Sequence, residues 1–239
     1  MTRKGVWNIQ DVRDKYTESL WENPFKLYTW GSNGKGYLMR NNTNPGSSTS
    51  PHHVPGTIWK AVATGKDQIF AAVRSDGTLW MGGGNEKGTL GINEGNDDVR
   101  RSSPTQIPGT TWTSEYTIGN GYALAVKSDG TLWVWGKNNE GQLGMGNQTQ
   151  YLSPVQVPGT TWAKVGASNI SSVATRTDGT MWTFGEAKAG SLGHNSSGEK
   201  VSSPKQVGTD TNWQLNRHSL AISQITAIGL QQTLTPSQL

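Results

Sequence analysis

The sequence contains no cysteine. That excludes disulfide staples, thiolate zinc sites and cysteine nucleophiles, and it fits assembly in a reducing compartment. Charge is sparse, at 16% of residues, and the hydrophobic fraction is only 32%. A chain of long helices would be rich in Ala, Glu, Lys and Leu, which this one is not. The basic residues are scattered, with no run like a nucleic-acid arm, so the net charge of +4 points to no nucleic-acid partner. No apolar stretch approaches the length of a membrane span. The opening "MTRKGVWNIQDVRDKY" has no apolar core, so no secretory signal is expected. Phenylalanine is scarce at 3, against 11 tryptophans and 31 glycines. That balance predicts an all-β chain of many short strands joined by glycine turns.

The tryptophans and glycines recur in register. Four markers return in fixed order with a spacing of 49 to 53 residues. They are the Ser-Pro prolines Pro51, Pro104, Pro154 and Pro204; the tryptophans Trp59, Trp112, Trp162 and Trp213; the Asp-Gly-Thr aspartates Asp76, Asp129 and Asp178; and the glycines Gly31, Gly83, Gly136 and Gly185. Within one period, "YALAVKS" alternates and ends at Asp-Gly, a hairpin signal that predicts a type I′ turn. "TLWVWG" returns, "KNNEGQLGMGNQTQ" is a glycine-rich loop, and "SPVQVPG" is a short strand bounded by prolines, as on a sheet edge. "TTWAKVG" opens the next unit. Four antiparallel strands per period is the size of a propeller blade.

The pattern "LAVKSDGTLWVWGKNNEGQLGMG…SPVQV" resembles the repeat of the RCC1 family of β-propellers, over about residues 27–222. Residues 27–55 supply the second half of a blade, 59–108, 112–158 and 162–207 are full units, and 213–222 is the first half of another. The expectation is a propeller of about four blades, closed by pairing the N- and C-terminal half blades. The alternative is an open arc completed by a partner, since the family is usually seven-bladed. Open sheet edges favour closure, because they invite pairing with other chains.

A position repeated in every unit reads as scaffold. Trp59, Trp112, Trp162 and Trp213, and likewise Trp80, Trp133 and Trp182, are expected in the core between blades. Asp76-Gly77, Asp129-Gly130 and Asp178-Gly179 are expected as hairpin turns, too dispersed to form a catalytic carboxylate pair. Many RCC1-type repeats carry a histidine seven residues before that aspartate. Here Ile69, Tyr122 and Ser171 stand there, and only His218 of the last half unit keeps it. The family's exchange factor inserts a wedge between strands, and no comparable insertion exists here. The "GWRHT" motif of the plant UV-B receptor relatives is also absent. His52, His53, His194 and His218 lack metal spacing. No catalytic residue, cofactor or metal is therefore expected, and the chain is read as a non-enzyme.

Residues 1–26 fall outside the repeat. Ile9, Val12, Tyr16 and Leu20 follow helical spacing after Asn8, and Asn23-Pro24 ends the run. They predict an amphipathic helix, with Trp7 and Trp21 flanking it, that covers one opening of the propeller or docks on a partner. "GVWNIQDVRDKYTESLWENP" is similar to a segment of tailed-phage structural proteins. That resemblance implies a virion protein assembled in the host cytoplasm: a capsid decoration, knob or head-fibre protein. Its partners would be the major capsid protein or tail proteins, in a homo-oligomeric or multi-copy assembly. The alternatives are a tail-associated receptor- or glycan-binding protein, with a host-surface glycan as ligand, and a soluble RCC1-like protein-interaction module. Residues 223–239 form a polar, uncharged tail. Functional information is expected where the repeat fails: residues 1–26, the loops near 40–50, 93–101 and 194–200, and the tail.

Overall fold

In the computed structural model, the described residues are 27–34, 36, 38–44, 46–56, 58–65, 69–95, 100–215 and 230–231. The helix expected over residues 3–24, with Trp7, Ile9, Val12, Tyr16, Leu20 and Trp21, lies outside them, as does His218. Among the described residues the only helical element is a short 3-10 turn, Lys188–Gly190. None of their helices is long and apolar enough to cross a membrane.

Among the described residues, sixteen strands make three four-stranded sheets flanked by two half sheets. The first half sheet pairs β1 (Leu27–Ser32) with β2 (Ser47–Val54). The first full blade is β3 (Trp59–Gly65), β4 (Ile69–Arg74), β5 (Leu79–Gly84) and β6 (Arg100–Gln106). The second is β7 (Trp112–Ile118), β8 (Tyr122–Lys127), β9 (Leu132–Gly136) and β10 (Tyr151–Gln156). The third is β11 (Trp162–Ala167), β12 (Ser171–Arg176), β13 (Met181–Glu186) and β14 (Lys200–Gln206). In each the strands lie side by side in chain order and antiparallel, so every blade is a meander. The Ser-Pro strand is always outermost, where a missing N–H costs no ladder bond.

The last half sheet pairs β15 (Trp213–Gln214) with β16 (Leu230–Gln231). The expected first half unit over 213–222 thus takes its second strand from further along the chain. Among the described residues, no ladder joins β15 or β16 to β1 or β2. The blade-closing pairing of the two ends is therefore not made between them.

The hairpin turn also differs from expectation. Gly77, Gly130 and Gly179 have φ of +77°, +78° and +80°, but the preceding aspartates do not enter the left-handed region. Gly77 N–H donates to Arg74 O (3.1 Å), and Arg74 N–H donates to Thr78 O (2.9 Å). This is a three-residue loop, a turn with Ser75-Asp76 at its centre followed by a left-handed glycine bulge, rather than type I′. The aspartate stays right-handed because its side chain is committed to the threonine two residues on, as described below.

Strands β4, β8 and β12 run through the middle of each sheet and are buried on both faces, which explains their small residues in "AAV", "ALAV" and "SVAT". The core is layered between blades. One cluster joins Ile69, Val73 and Met81 of one blade to Trp112, Ala123 and Trp135 of the next. Another joins Tyr122, Leu124 and Val134 to Trp162, Val165 and Phe184.

Candidate functional site

The repeated tryptophans, aspartates and glycines build one cassette three times. Thr78 Oγ1 donates to Asp76 Oδ1 (2.6 Å), Thr78 N–H donates to the same oxygen (3.0 Å), and Trp80 Nε1 donates to Thr78 Oγ1 (2.8 Å). Trp133–Thr131–Asp129 and Trp182–Thr180–Asp178 repeat the relay with indole bonds of 2.9 Å. The threonine hydroxyl holds each carboxyl below its ordinary value of 3.8. Trp59, Trp112 and Trp162 are buried, whereas Trp80, Trp133, Trp182 and Trp213 are half-buried. Between each pair of indoles lies a cation that sequence reasoning passed over. Arg74 Cζ stands 5.1 Å from the Trp59 and Trp80 ring centres. Lys127 Nζ stands 4.8 and 4.1 Å from Trp112 and Trp133, and Arg176 Cζ 4.6 and 4.2 Å from Trp162 and Trp182. A desolvated cation over an indole contributes about 0.5–2 kcal/mol. The signal was legible: a basic residue stands two positions before every Asp-Gly-Thr.

A second repeated element had gone unrecognised. Asn33, Asn85 and Asn138 are fully buried at the start of the glycine-rich loops. Asn138 Oδ1 accepts Leu143 N–H (2.9 Å), and its amide donates to Asn147 O and Thr149 O (3.0 Å each). Asn85 does the same with Leu90 N–H and Glu94 O, and Asn33 with Leu38 N–H and Asn42 O. The spacing Asn-x-x-Gly-x-Leu would have found them.

These loops lock each blade to the next at a joint with fixed rules. The residue after the loop leucine meets the residue before the glycine that closes the next blade's third strand. Met39 faces Gly82, Gly91 faces Trp135, and Gly144 faces Phe184. One partner is large and the other is glycine each time. A Cβ on Gly82 would collide with the Met39 thioether, and one on Gly144 would stand 3.0 Å from the Phe184 ring. Two residues after the facing residue, a backbone N–H donates to the neighbour's outer strand: Asn41 to Ser102 O (2.8 Å), Asn93 to Leu152 O (2.9 Å) and Gly146 to Ser202 O (2.8 Å). At the opposite end of the strands, Trp112, Trp162 and Trp213 N–H donate to Gly77, Gly130 and Gly179 O, at 2.9 to 3.1 Å. Tyr122, at the family's histidine position, ties the second blade to the third through its hydroxyl to Ser171 O (2.6 Å), and burial pushes its phenol well up.

This scaffold leaves one face uncovered among the described residues. Tyr28, Trp30 and Val62 are 47%, 63% and 56% exposed. With Leu27, Ile69 and Phe70 they line a cleft of about 420 Å³. By register Val62 sits opposite Ala72 as Tyr116 sits opposite Ala125 and Val165 opposite Ala174. Tyr116 reaches back to Ala71 O of the preceding blade (3.2 Å), and Val165 is buried against Tyr122 and Leu124. Trp30 occupies the position of the buried Trp135 and Phe184. Among the described residues, Val62 has no first or second strand of a preceding blade to pack on, and Trp30 has no preceding loop glycine to face it. The arrangement offers a strand edge and an apolar floor, which suits binding rather than chemistry.

Residues 129–174 match the model of the regulator of chromosome condensation (RCC1) repeat. The X-linked retinitis pigmentosa GTPase regulator of the dog is 29% identical over 153 residues, 62% of this chain and 15% of that protein. Human E3 ubiquitin-protein ligase HERC2 is 29% identical over 127 residues, 52% of this chain and 3% of that protein. Human protein RCC2 is 37% identical over 79 residues, 32% of this chain and 15% of that protein. Among solved structures, yeast RCC1 (Prp20) bound to Kap60 aligns with a TM-score of 0.67 at 18% identity, covering 77% of this chain and 45% of that one. Human WBSCR16 aligns at 0.64 and 21%, covering 76% and 47%. The chain thus carries the RCC1 repeat in an RCC1-like propeller fold, and it spans under half the length of these relatives.

Proposed function

We propose that this chain is an RCC1-type protein-interaction module that binds by blade completion: a partner supplies two strands to the half blade β1–β2 and covers Val62. The observation that carries this reading is the exposure of Trp30, at the position of the buried Gly82, Trp135 and Phe184, and of Val62, at that of the half-buried Tyr116 and the buried Val165. Named relatives support a regulatory, protein-binding role: the GTPase regulator, and the yeast propeller whose structure was described with its binding to Gsp1p and histones. The virion reading, with its capsid, tail or glycan partners, draws no support from these relatives, which come from mammals, fish and yeast. It rested on residues 1–26, outside the described part, and on the likeness of the repeats with "PGTTW" and "SDGTLWVWG" to phage and bacterial RCC1-like proteins. Nucleotide exchange is not carried over, because the wedge of the family's exchange factor has no counterpart in this sequence.

Ring closure within one chain is the second reading, favoured by the complementary half sheets at its two ends. A photo-cross-linker tests the proposal without background labelling, since the chain has no cysteine of its own. Val62→Cys carrying benzophenone is expected to form an adduct with a second protein chain in the source cell's extract. The same label at Asp129→Cys, on a hairpin tip, is not. Equal adducts at both sites, or an internal link from position 62 to residues after 213, would overturn blade completion by a partner.

A further inference from the structure

The blade-completion reading leaves the partner's identity open, and the joint rules fix it. Three joints are complete, and each needs one glycine facing one large side chain plus one loop N–H facing one outer-strand carbonyl. The chain also carries the two halves of a fourth joint, one at each end. The last loop offers Gly193, the residue after Leu192, at the position of Gly91 and Gly144. Gly193 is exposed while those two are buried, and a Cβ there would meet only Val207. Two residues on, Asn195 has φ of +56°, as Asn41 and Asn93 have +58° and +60°. The opposite half is β1–β2. Trp30 is the large side chain awaiting a glycine, and Thr49 stands two residues before Pro51, as Ser102, Leu152 and Ser202 stand before theirs.

The strands complement each other as well. β15 starts with Trp213 at the first-strand position, donates to Gly179 O as Trp112 and Trp162 donate to their turns, and pairs with β16. First and second strands at one end therefore match third and fourth strands at the other. Among the described residues Trp30 remains 63% exposed, and no ladder joins the two half sheets into a fourth joint. The aligned 77% of the chain follows the blade-to-blade step of a propeller of which it covers 45%. At that step a ring needs roughly as much chain again. We propose that a second copy of this chain supplies it. The β15–β16 hairpin and the Gly193–Asn195 loop of one copy seat on Trp30, Val62 and Thr49 of the next. Two such contacts close a two-fold ring of eight blade equivalents, within the range of propellers.

The test uses the whole purified chain. Thr49→Cys and Asn195→Cys are made as separate proteins, both at exposed sites, and their folds are checked by near-UV circular dichroism. A short bismaleimide added to the mixture is expected to give a species of twice the 25.8 kDa chain mass. Each protein alone is expected to give far less of it. Trp30→Glu, exposed in the single chain, is expected to weaken self-association at least tenfold by light scattering while leaving the fold intact. A link formed only inside a Thr49→Cys/Asn195→Cys double variant overturns the proposal in favour of closure within one chain. No link, with a monomer at all concentrations, also overturns it. In that last case a cross-link from position 62 to a different protein would leave blade completion standing with another partner.

Discussion

At the scale of the residue, structural roles went to side chains whose types did not announce them. A buried Asn would be read as a turn former, yet the Asn138 side chain is bonded to Leu143 N–H, Asn147 O, Asn147 Oδ1 and Thr149 O and has no exposed surface. Truncating it leaves one backbone donor and two backbone acceptors without their partner, so Asn138→Ala is expected to cost about 2–4 kcal/mol in urea unfolding. In the last loop Ala187 takes the same place, with backbone bonds from Ala187 N–H to Glu199 O (2.7 Å) and from Gly198 N–H to Ala187 O (2.9 Å). The turn aspartates act through their charge. Asp76, Asp129 and Asp178 are held below 3.8 chiefly by a threonine hydroxyl. A carboxyl lowered in the folded state stabilises above its unfolded value, and that contribution is lost as pH falls through the lower folded value. Melting temperature is therefore expected to drop on acidification below about pH 4. Thr131→Val, which removes the strongest donor to Asp129, is expected to flatten that acid limb.

At the scale of the element, the strand pattern was open to sequence reasoning and the joints were not. Period, strand order within a blade and the outer position of the Ser-Pro strand all follow from local signals: alternation in "YALAVK", the Asp-Gly punctuation, and prolines that cannot donate. The turn type did not follow, because Asp-Gly serves both a type I′ turn and a glycine bulge, and the choice falls to the Asp–Thr bond. Nor did the size-swapped joints, since each pairs residues of neighbouring blades and the sequence does not say which blade faces which. The Trp–cation–Trp stacks lie within single blades, marked in the sequence only by the basic residue before each Asp-Gly-Thr. Gly82 in "LWMGG" breaks the aromatic pattern of "LWVWG" and "MWTFG" for a reason visible only across the joint, where Met39 fills its space. That rule is directly testable. Gly144→Met alone, driven into the Phe184 ring, is expected to destabilise by about 2 kcal/mol or more. Adding Phe184→Gly recreates the Met39–Gly82 arrangement, and the double variant is expected to recover a measurable part of the loss, giving a favourable coupling energy in a double-mutant cycle. Strict additivity would refute the size-swap rule.

At the scale of the whole molecule, the chain is a one-dimensional stack in which every blade is held by its two neighbours. Among the described residues, the half blades at the two ends each lack one. The loops expected to hold functional information, near 40–50 and 194–200, contain Thr49 and Asn195, the two backbone partners of the unmade joint. If the ends join between copies, folding and association are linked, since a bound partner stabilises the native state in proportion to the logarithm of its concentration. The melting temperature of the wild-type chain is then expected to rise with protein concentration. A hundredfold increase shifts the balance by about 2.7 kcal/mol, worth a few degrees for a domain of this size. Trp30→Glu is expected to melt at one temperature across the same range, close to the dilute limit of the wild type. Joining within a chain gives no such dependence. Parallel, concentration-independent melting of both proteins would therefore separate a self-closed ring from one assembled from two arcs.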